Sequence, residues 1–324
     1  MRAGWYEHNG EARAVLKVGE VDKPVPGEGE VLVRVIASGV NPSDVKSRRG
    51  WQLSAPRVVP HSDGAGIIEA VGAGADRGRI GERVWIWNGQ WKRAFGTAAE
   101  YIALPEAQAM RLPDNTGFEA GACFGIPGLT AIHAVRLLGD IGGRTVLVTG
   151  AASGVGHYAV QMAKLNGARV IGTASVERQS HARSAGADFV IDYKNKDVAQ
   201  VVKELTKGAG VNAIIDMDLS STARLVAEGV LAPHGKHVCY GANKTGDIPL
   251  SFSAMLRGSL TLQFFLVYEL AEAERKAAIT ALTRLVEKGS LKHTIGARYP
   301  LGEIALAHEA VEGGRVIGNV VLDI

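Results

Sequence analysis

VLVTGAASGVGHYAVQMAK (residues 146–164) is the stretch on which the fold turns. An apolar strand candidate over 145–149 runs into a turn carrying Gly150, Gly154 and Gly156, and a helical stretch, 157–166, opens on the far side. In such a turn Gly154 lets the backbone approach a pyrophosphate and Gly156 lets helix and strand pack closely. Ser153 and Val155 complete the turn. The helix N-terminus offers N–H groups and a partial positive charge, which an anion satisfies. Glycine-rich turns also occur as plain structure. This one has a strand before it, a helix after it and a second strand, 169–173, at the distance a dinucleotide site requires.

Outward from that turn the β-α-β rhythm continues. Helical stretches at 178–185 and 198–207 separate strands at 189–192 and 213–216, and strands at 236–240 and 260–267 follow. Alternation of this kind predicts a parallel, doubly wound α/β sheet. Before residue 118 the texture is different. Short β-rich runs at 30–37, 64–71, 83–87 and 98–103, parted by glycine-containing turns, predict a small antiparallel barrel or sandwich. After 267 come an amphipathic helix over 269–288, with Ala278, Leu282, Leu285 and Val286 on one face, a run at 298–301, a helix over 304–312 and a final strand at 318–324. That last strand is expected to return to the first domain. The expected division is therefore 1–120 with 268–324 as one domain and 121–267 as a nucleotide-binding insertion.

Composition narrows the function. The 324 residues suffice for two domains, and 46% hydrophobic with 21% charged is a globular balance. The net charge of +3 is spread without a Lys/Arg block, which argues against nucleic-acid binding. Cys123 and Cys239, far apart in the chain, provide neither a disulfide framework nor a cysteine-rich zinc lobe. Arg2, Glu7, Glu11 and Arg13 leave no secretory apolar region, and no apolar run approaches bilayer length, so a soluble cytoplasmic protein is expected.

The end of the second strand bears on the choice of dinucleotide. NAD enzymes place Asp or Glu there to bind the ribose 2′-hydroxyl. Here the residues are Thr173, Ala174 and Ser175. Ser175 can donate to a 2′-phosphate and Arg178 can supply a cation, which favours NADPH. Glu177 is the rival, because its carboxylate turned inward would favour NAD.

With these residues in hand the chain resembles the zinc-free quinone oxidoreductase branch of the medium-chain dehydrogenase/reductase superfamily, the branch that includes zeta-crystallin. The resemblance runs from the first strands to the C-terminus. It is carried by GVNPSDVK (39–46), SDGAGIIEAVG (62–72), GTAAEY (96–101), GIPGLTA (125–131), AASGVG (151–156), AGADFVIDY (185–193), AHEA (307–310) and GNVVL (318–322). It implies a GroES-like catalytic domain interrupted by a Rossmann domain. Zinc-dependent relatives place a Cys near Ser38 and a His-Glu pair at Ser62 and Asp63, and neither serine is a good zinc ligand. His61 beside them is read as a turn or packing residue, and residues 85–97 lack the cysteines of a structural-zinc lobe. No metal is expected.

Without a Lewis acid, alcohol dehydrogenation is disfavoured. What remains is hydride donation to an acceptor that is already electrophilic, a quinone or related conjugated carbonyl compound, with a donor for the oxyanion. The resemblance implies that Asn41 lies by the nicotinamide and contacts the substrate carbonyl, although Asn41 and Pro42 also make sense as a plain turn. Asp44 reads as a turn or cap. Lys46 stands where close relatives often carry Tyr, which puts the protonation role in question. Thr130 matches a contact to nicotinamide or its ribose, or else a helix-core threonine. Tyr193 matches a border of the 2′-phosphate, or else a strand-end aromatic. Tyr240, Gly241, Ala242, Phe264, Phe265 and Leu266 are expected on the nicotinamide side, and Asn319 replaces a frequent Lys near the cofactor. The loop 85–95 is expected to shape the substrate pocket. The resemblance also leaves open a nucleotide-binding structural or regulatory role, RNA-associated in some members, with little turnover. The apolar run 260–267, at a sheet edge, predicts a homodimer through the nucleotide-binding domain.

Overall fold

Valine-rich alternation at the start of the chain produces its central strand. The computed structural model describes residues 1–244 and 246–324. Strands β1 (Arg2–Trp5) and β2 (Lys17–Glu20) form an antiparallel pair. β3 (Glu30–Val40) then buries Val31, Val33 and Val35 and leaves Arg34 in solvent, while Leu32 and the stretch from Ala37 to Val40 are buried as well, so the strand is covered on both faces over much of its length. It pairs antiparallel with β4 (Asp63–Val71), with β6 (Tyr101–Pro105) and with the C-terminal strand Asn319–Asp323. β5 (Arg83–Ile86) and β7 (Ala109–Arg111) extend the sheet on one side and Ile295–Pro300 extends it on the other. Val31, Val33, Ile68, Val84, Ile86, Ile102 and Leu104 form its core. The final strand thus joins the unit in which the chain began.

The second unit is a six-stranded, wholly parallel sheet. Its strands are β8 (Thr145–Val148), β9 (Arg169–Thr173), β10 (Phe189–Ile191), β11 (Val211–Asp216), β12 (Leu231–Cys239) and β13 (Thr261–Phe264), in the order β10-β9-β8-β11-β12-β13. Val146, Leu147 and Val148 are fully buried, as strands covered on both faces require. Strand order reverses between β8 and β11, the switch point at which doubly wound sheets bind ligands.

Contacts divide the chain into Met1–Pro127 with Val286–Ile324, and Gly128–Leu285. The boundaries therefore lie later than 120 and 267. The long helix, Glu272–Glu287, falls mainly in the second unit, and Arg275 Nη2 ties it back to the Val267 and Tyr268 carbonyls just past β13. Three local readings also change. The 178–185 stretch is a 3-10 turn, Val176–Arg178, followed by a helix, Gln179–Ser184. The 260–267 strand keeps only Thr261–Phe264 before a turn at Val267–Glu269. The NPSD segment opens a nine-residue helix, Pro42–Gly50, with Asn41 at its N-cap and Pro42 in its first turn, where proline costs no hydrogen bond.

Candidate functional site

The glycine turn is built from backbone constraints. Gly150 has φ +62°, and a Cβ there would run into Met217 Sδ. A Cβ on Gly156 would run into the Gly150 carbonyl. The Gly150 N–H donates to Thr173 Oγ1 at 3.0 Å and the Ala151 N–H to the Thr173 carbonyl at 2.9 Å, which stitches the turn to the end of β9. Ser153 caps the helix Gly154–Leu165, its Oγ accepting the Gly156 N–H at 3.0 Å. Gly154 and Val155 supply the first N–H groups of that helix, which have no carbonyl within it to meet.

Beneath the turn, buried Asp216 gathers the strand ends. It accepts from Thr149 Oγ1 at 2.7 Å, from the Asp218 N–H at 3.2 Å, from Thr222 Oγ1 at 2.5 Å and from His237 Nε2 at 3.0 Å. Asp218 in turn fixes the loop after β12 by accepting the Asn243 N–H and Nδ2, each at 2.8 Å. That loop carries Tyr240, Gly241 and Ala242. Tyr240 is hydrogen-bonded to the Ser153 side chain, and burial pushes its phenol far above the usual range. Sequence reasoning missed Asp216 and Asp218 because neither lies in a motif; Asp216 is marked only by its place at the end of a strand and Asp218 by its place before a short helix.

Of the three residues 264–266, only Phe265 packs inward, its ring 6.3 Å from Tyr240 and 4.7 Å from His133. Phe264 and Leu266 alternate to the other side and are exposed. Thr130 is buried in the first turn of the helix Leu129–Leu138. At the other end of the sheet Ser175 is buried, Arg178 is half-buried, and Tyr193 is exposed on the turn after β10.

In the first unit Asn41 and two acids form one cluster. Asn41 Nδ2 donates to Asp63 Oδ2 at 2.9 Å, and the Asn41 N–H donates to Asp44 Oδ2 at 2.7 Å. All three are buried, and burial lifts the Asp44 carboxyl to about 7 and Asp63 well above the carboxylate range. Lys46 lies on the exposed face of the same helix. Asn319 Nδ2 donates to the Thr294 carbonyl at 3.2 Å. Trp85 is a core residue, edge-on to Phe124, and the loop beyond it is held in place by Gln108 Nε2 on the Trp87 and Asn88 carbonyls.

The position of a zinc site holds a chain of hydrogen bonds whose direction can be derived. Thr97 Oγ1 donates to the Asp63 carbonyl, so Ser38 Oγ must donate to Thr97, across 2.8 Å. His61 Nδ1, 2.9 Å from Ser38 Oγ, therefore carries the proton. Burial pushes the His61 pKa down to about 3, so the ring is neutral and its Nε2 accepts from His308 Nε2 at 3.0 Å. His61 and Ser38 are spent on each other, and a fit for zinc would require both to be released. Among the described residues, no group of three or more His, Cys, Asp or Glu could hold a metal ion. His308 was legible only as part of AHEA, with nothing to show that it meets His61.

Family models match an alcohol dehydrogenase GroES-like domain over residues 27–114 and a zinc-binding dehydrogenase domain over 154–284. A GroES-like sheet interrupted by a Rossmann sheet with a glycine phosphate turn defines the class, the medium-chain dehydrogenase/reductases. The chain is 34% identical to a quinone oxidoreductase of Pseudomonas aeruginosa over 316 residues, covering 95% of both chains. It superposes on an NAD-dependent alcohol dehydrogenase (32% identity) and on Escherichia coli quinone oxidoreductase complexed with NADPH (27%), each at a TM-score of 0.89 and with both chains fully covered. The chain belongs to the zinc-free quinone oxidoreductase branch of this oxidoreductase superfamily.

Proposed function

We propose that this enzyme reduces quinones or related conjugated carbonyl compounds with NADPH, by direct hydride transfer and without a metal. The observation that carries the reading is the pairing of a preformed phosphate turn with a zinc position closed by the Ser38–His61–His308 hydrogen bonds. Bound NADPH would supply the hydride. The turn residues Ser153, Gly154, Val155 and Gly156 would hold the pyrophosphate, Ser175 and Arg178 the 2′-phosphate with Tyr193 at its border, and Thr130, Tyr240, Gly241, Ala242 and Phe265 the nicotinamide end. Asn41 would donate to the substrate oxygen with the second hydrogen of Nδ2, the first being committed to Asp63. The quinone oxidoreductase relatives and the NADPH-complexed neighbour support this reading.

Lys46 favours a second reading, a nucleotide-binding protein with little turnover, because an ammonium stands where close relatives often carry a phenol. An acceptor screen with NADPH consumption as readout separates the two. Turnover of ortho- or para-quinones that survives chelators, with no stoichiometric zinc by elemental analysis, supports the enzyme. Tight NADPH binding without consumption supports the second reading. One zinc per chain, lost together with activity, would overturn the metal-free part. For assembly we propose a homodimer through the β13 edge, where Phe264 and Leu266 are exposed, as are Phe252 and Leu256 of the preceding helix Phe252–Gly258.

A further inference from the structure

Two acids stand where β11 ends, Asp216 as its last residue and Asp218 two residues on, at the edge of the sheet where doubly wound folds take their ligands. An acid in such a place is a candidate partner for a ribose hydroxyl. Neither of these is free for one. A carboxylate offers about four acceptor sites, two on each oxygen. On Asp218, Oδ1 accepts the Asn243 N–H at 2.8 Å and the Ser220 hydroxyl at 2.5 Å, and Oδ2 accepts Asn243 Nδ2 at 2.8 Å and the Ser221 hydroxyl at 2.9 Å. Asp216 is filled in the same way, by Thr149 and the Asp218 N–H on Oδ1 and by Thr222 and His237 on Oδ2.

The donors to Asp218 come from two loops. Ser220 and Ser221 follow it in its own, whereas Asn243 belongs to the loop after β12. Asp218 therefore clasps one loop to the other. Burial works against its charged form, but the Ser220, Asn243 and Ser221 donors outweigh burial and hold the carboxyl below its usual range. Two backbone bonds run beside the clasp, from the Leu219 N–H to the Gly241 carbonyl and from the Tyr240 N–H to the Asp216 carbonyl, each 3.1 Å. Gly241 comes so close that a Cβ on it would lie 2.7 Å from the Met217 carbonyl. From Tyr240 to Ser251 the described residues form neither strand nor helix, so this stretch depends on side-chain ties for its shape, and Asn243 is where it is tied.

We infer that Asp218 is a positioning residue for the nicotinamide half of the dinucleotide: by clasping Asn243 it holds Tyr240, Gly241 and Ala242 in the shape that receives that half, with no acceptor left to touch the nucleotide itself. The inference rests on the reading of these three residues as the nicotinamide end. A loop ordered beforehand spares binding the cost of ordering it. The adenosine end is assigned to Ser175 and Arg178 beyond β9, and β8 and β11 stand between β9 and β12 in the sheet. Three strand spacings, about 14 Å, thus part the two ends, and the clasp should act on one of them only.

The test is calorimetric titration with NADPH and with 2′,5′-ADP, which probes the adenosine end alone. Asp218→Ala opens the clasp, and Asn243→Asp sets a second carboxylate against the first. Each should weaken NADPH about tenfold or more and leave 2′,5′-ADP within about twofold of wild type. Asn243→Ala keeps the backbone N–H and should cost NADPH only a few-fold. Asp218→Asn combined with Asn243→Asp reverses which side chain donates, and it should recover most of the loss seen in Asn243→Asp alone. The single and double changes at Asn243 carry the test if Asp218→Ala does not fold. Equal losses for both ligands, an NADPH affinity unmoved by Asn243→Asp, or no recovery in the double variant overturns the inference and leaves the nucleotide reading standing. If wild type takes up neither ligand, the nucleotide reading falls and this inference falls with it.

Discussion

Asp44 shows how a capping residue becomes a pH-dependent part. It accepts the Asn41 N–H at 2.7 Å, yet burial outweighs that bond and lifts its carboxyl from 3.8 to about 7. The folded state therefore holds this proton more tightly than the unfolded chain does. The stability so gained is complete below about pH 3.8 and is lost as pH rises through about 7. Asp44→Asn keeps an acceptor for the Asn41 N–H and removes the titration. Relative to wild type it should gain roughly 2–3 kcal/mol between pH 5 and pH 8, read from urea unfolding at the two values; an equal difference at both would show that Asp44 does not titrate in this window. Arg178→Ala tests the proposed phosphate contact. Losing a charge-assisted hydrogen bond costs roughly 1.5–3 kcal/mol, so NADPH should weaken about tenfold or more with NADH nearly level, and equal losses would make Arg178 structural. Both residues were visible in the sequence as types at a spacing. What was not visible is their surroundings: the buried acid cluster joins positions 22 residues apart, and the His61–His308 bond joins positions 247 apart.

Elements whose sequence pattern is local were the legible ones. The strand Arg169–Thr173 and the helix Ile304–Glu312 lie where the sequence pattern puts them. Pro42–Gly50 was missed because it is strongly polar and has no apolar stripe to read. It is held by distant groups instead: Asn9 Nδ2 on the Ser47, Arg48 and Trp51 carbonyls at its end, and the buried Arg48 guanidinium on Glu312 at 2.5 Å. The phosphate turn is the opposite case, a local design with no slack. In Gly156→Ala the new methyl would meet the Gly150 carbonyl, which is backbone and has little room to move. We expect a destabilisation of roughly 1–3 kcal/mol and a larger loss of nucleotide affinity than in Ser153→Ala, which removes a cap worth about 1 kcal/mol together with the hydrogen bond to Tyr240. Calorimetric melting and titration of the two variants would check this order; a Gly156→Ala protein that binds nucleotide as wild type does would show that the turn opens freely.

At the scale of the whole molecule the remaining question is how the β13 edge is covered. β13 is the last strand of its sheet, so one row of its backbone N–H and C=O groups lacks a strand within the sheet to pair with. Apolar side chains are exposed at its end and around it: Phe264 is 57% exposed and Leu266, two residues beyond the strand, 45%, with Phe252 at 74% and Leu256 at 65% on the helix that precedes it in the chain. Bare edges of this kind invite pairing with another chain, and two copies related by a two-fold axis let each edge satisfy the other in a closed assembly. Leu262, half-buried in the strand, is a poor probe, because a charge there would disturb the sheet as well as any seam. Phe264→Lys places the charge on an exposed position and spares the core. Light scattering at micromolar concentration should give about twice the 34.1 kDa chain mass for wild type and the single-chain mass for Phe264→Lys, with melting little changed. A wild-type mass of one chain would sink the dimer. A variant that stays dimeric would move the seam away from β13 and leave the exposed aromatic pair to be explained some other way.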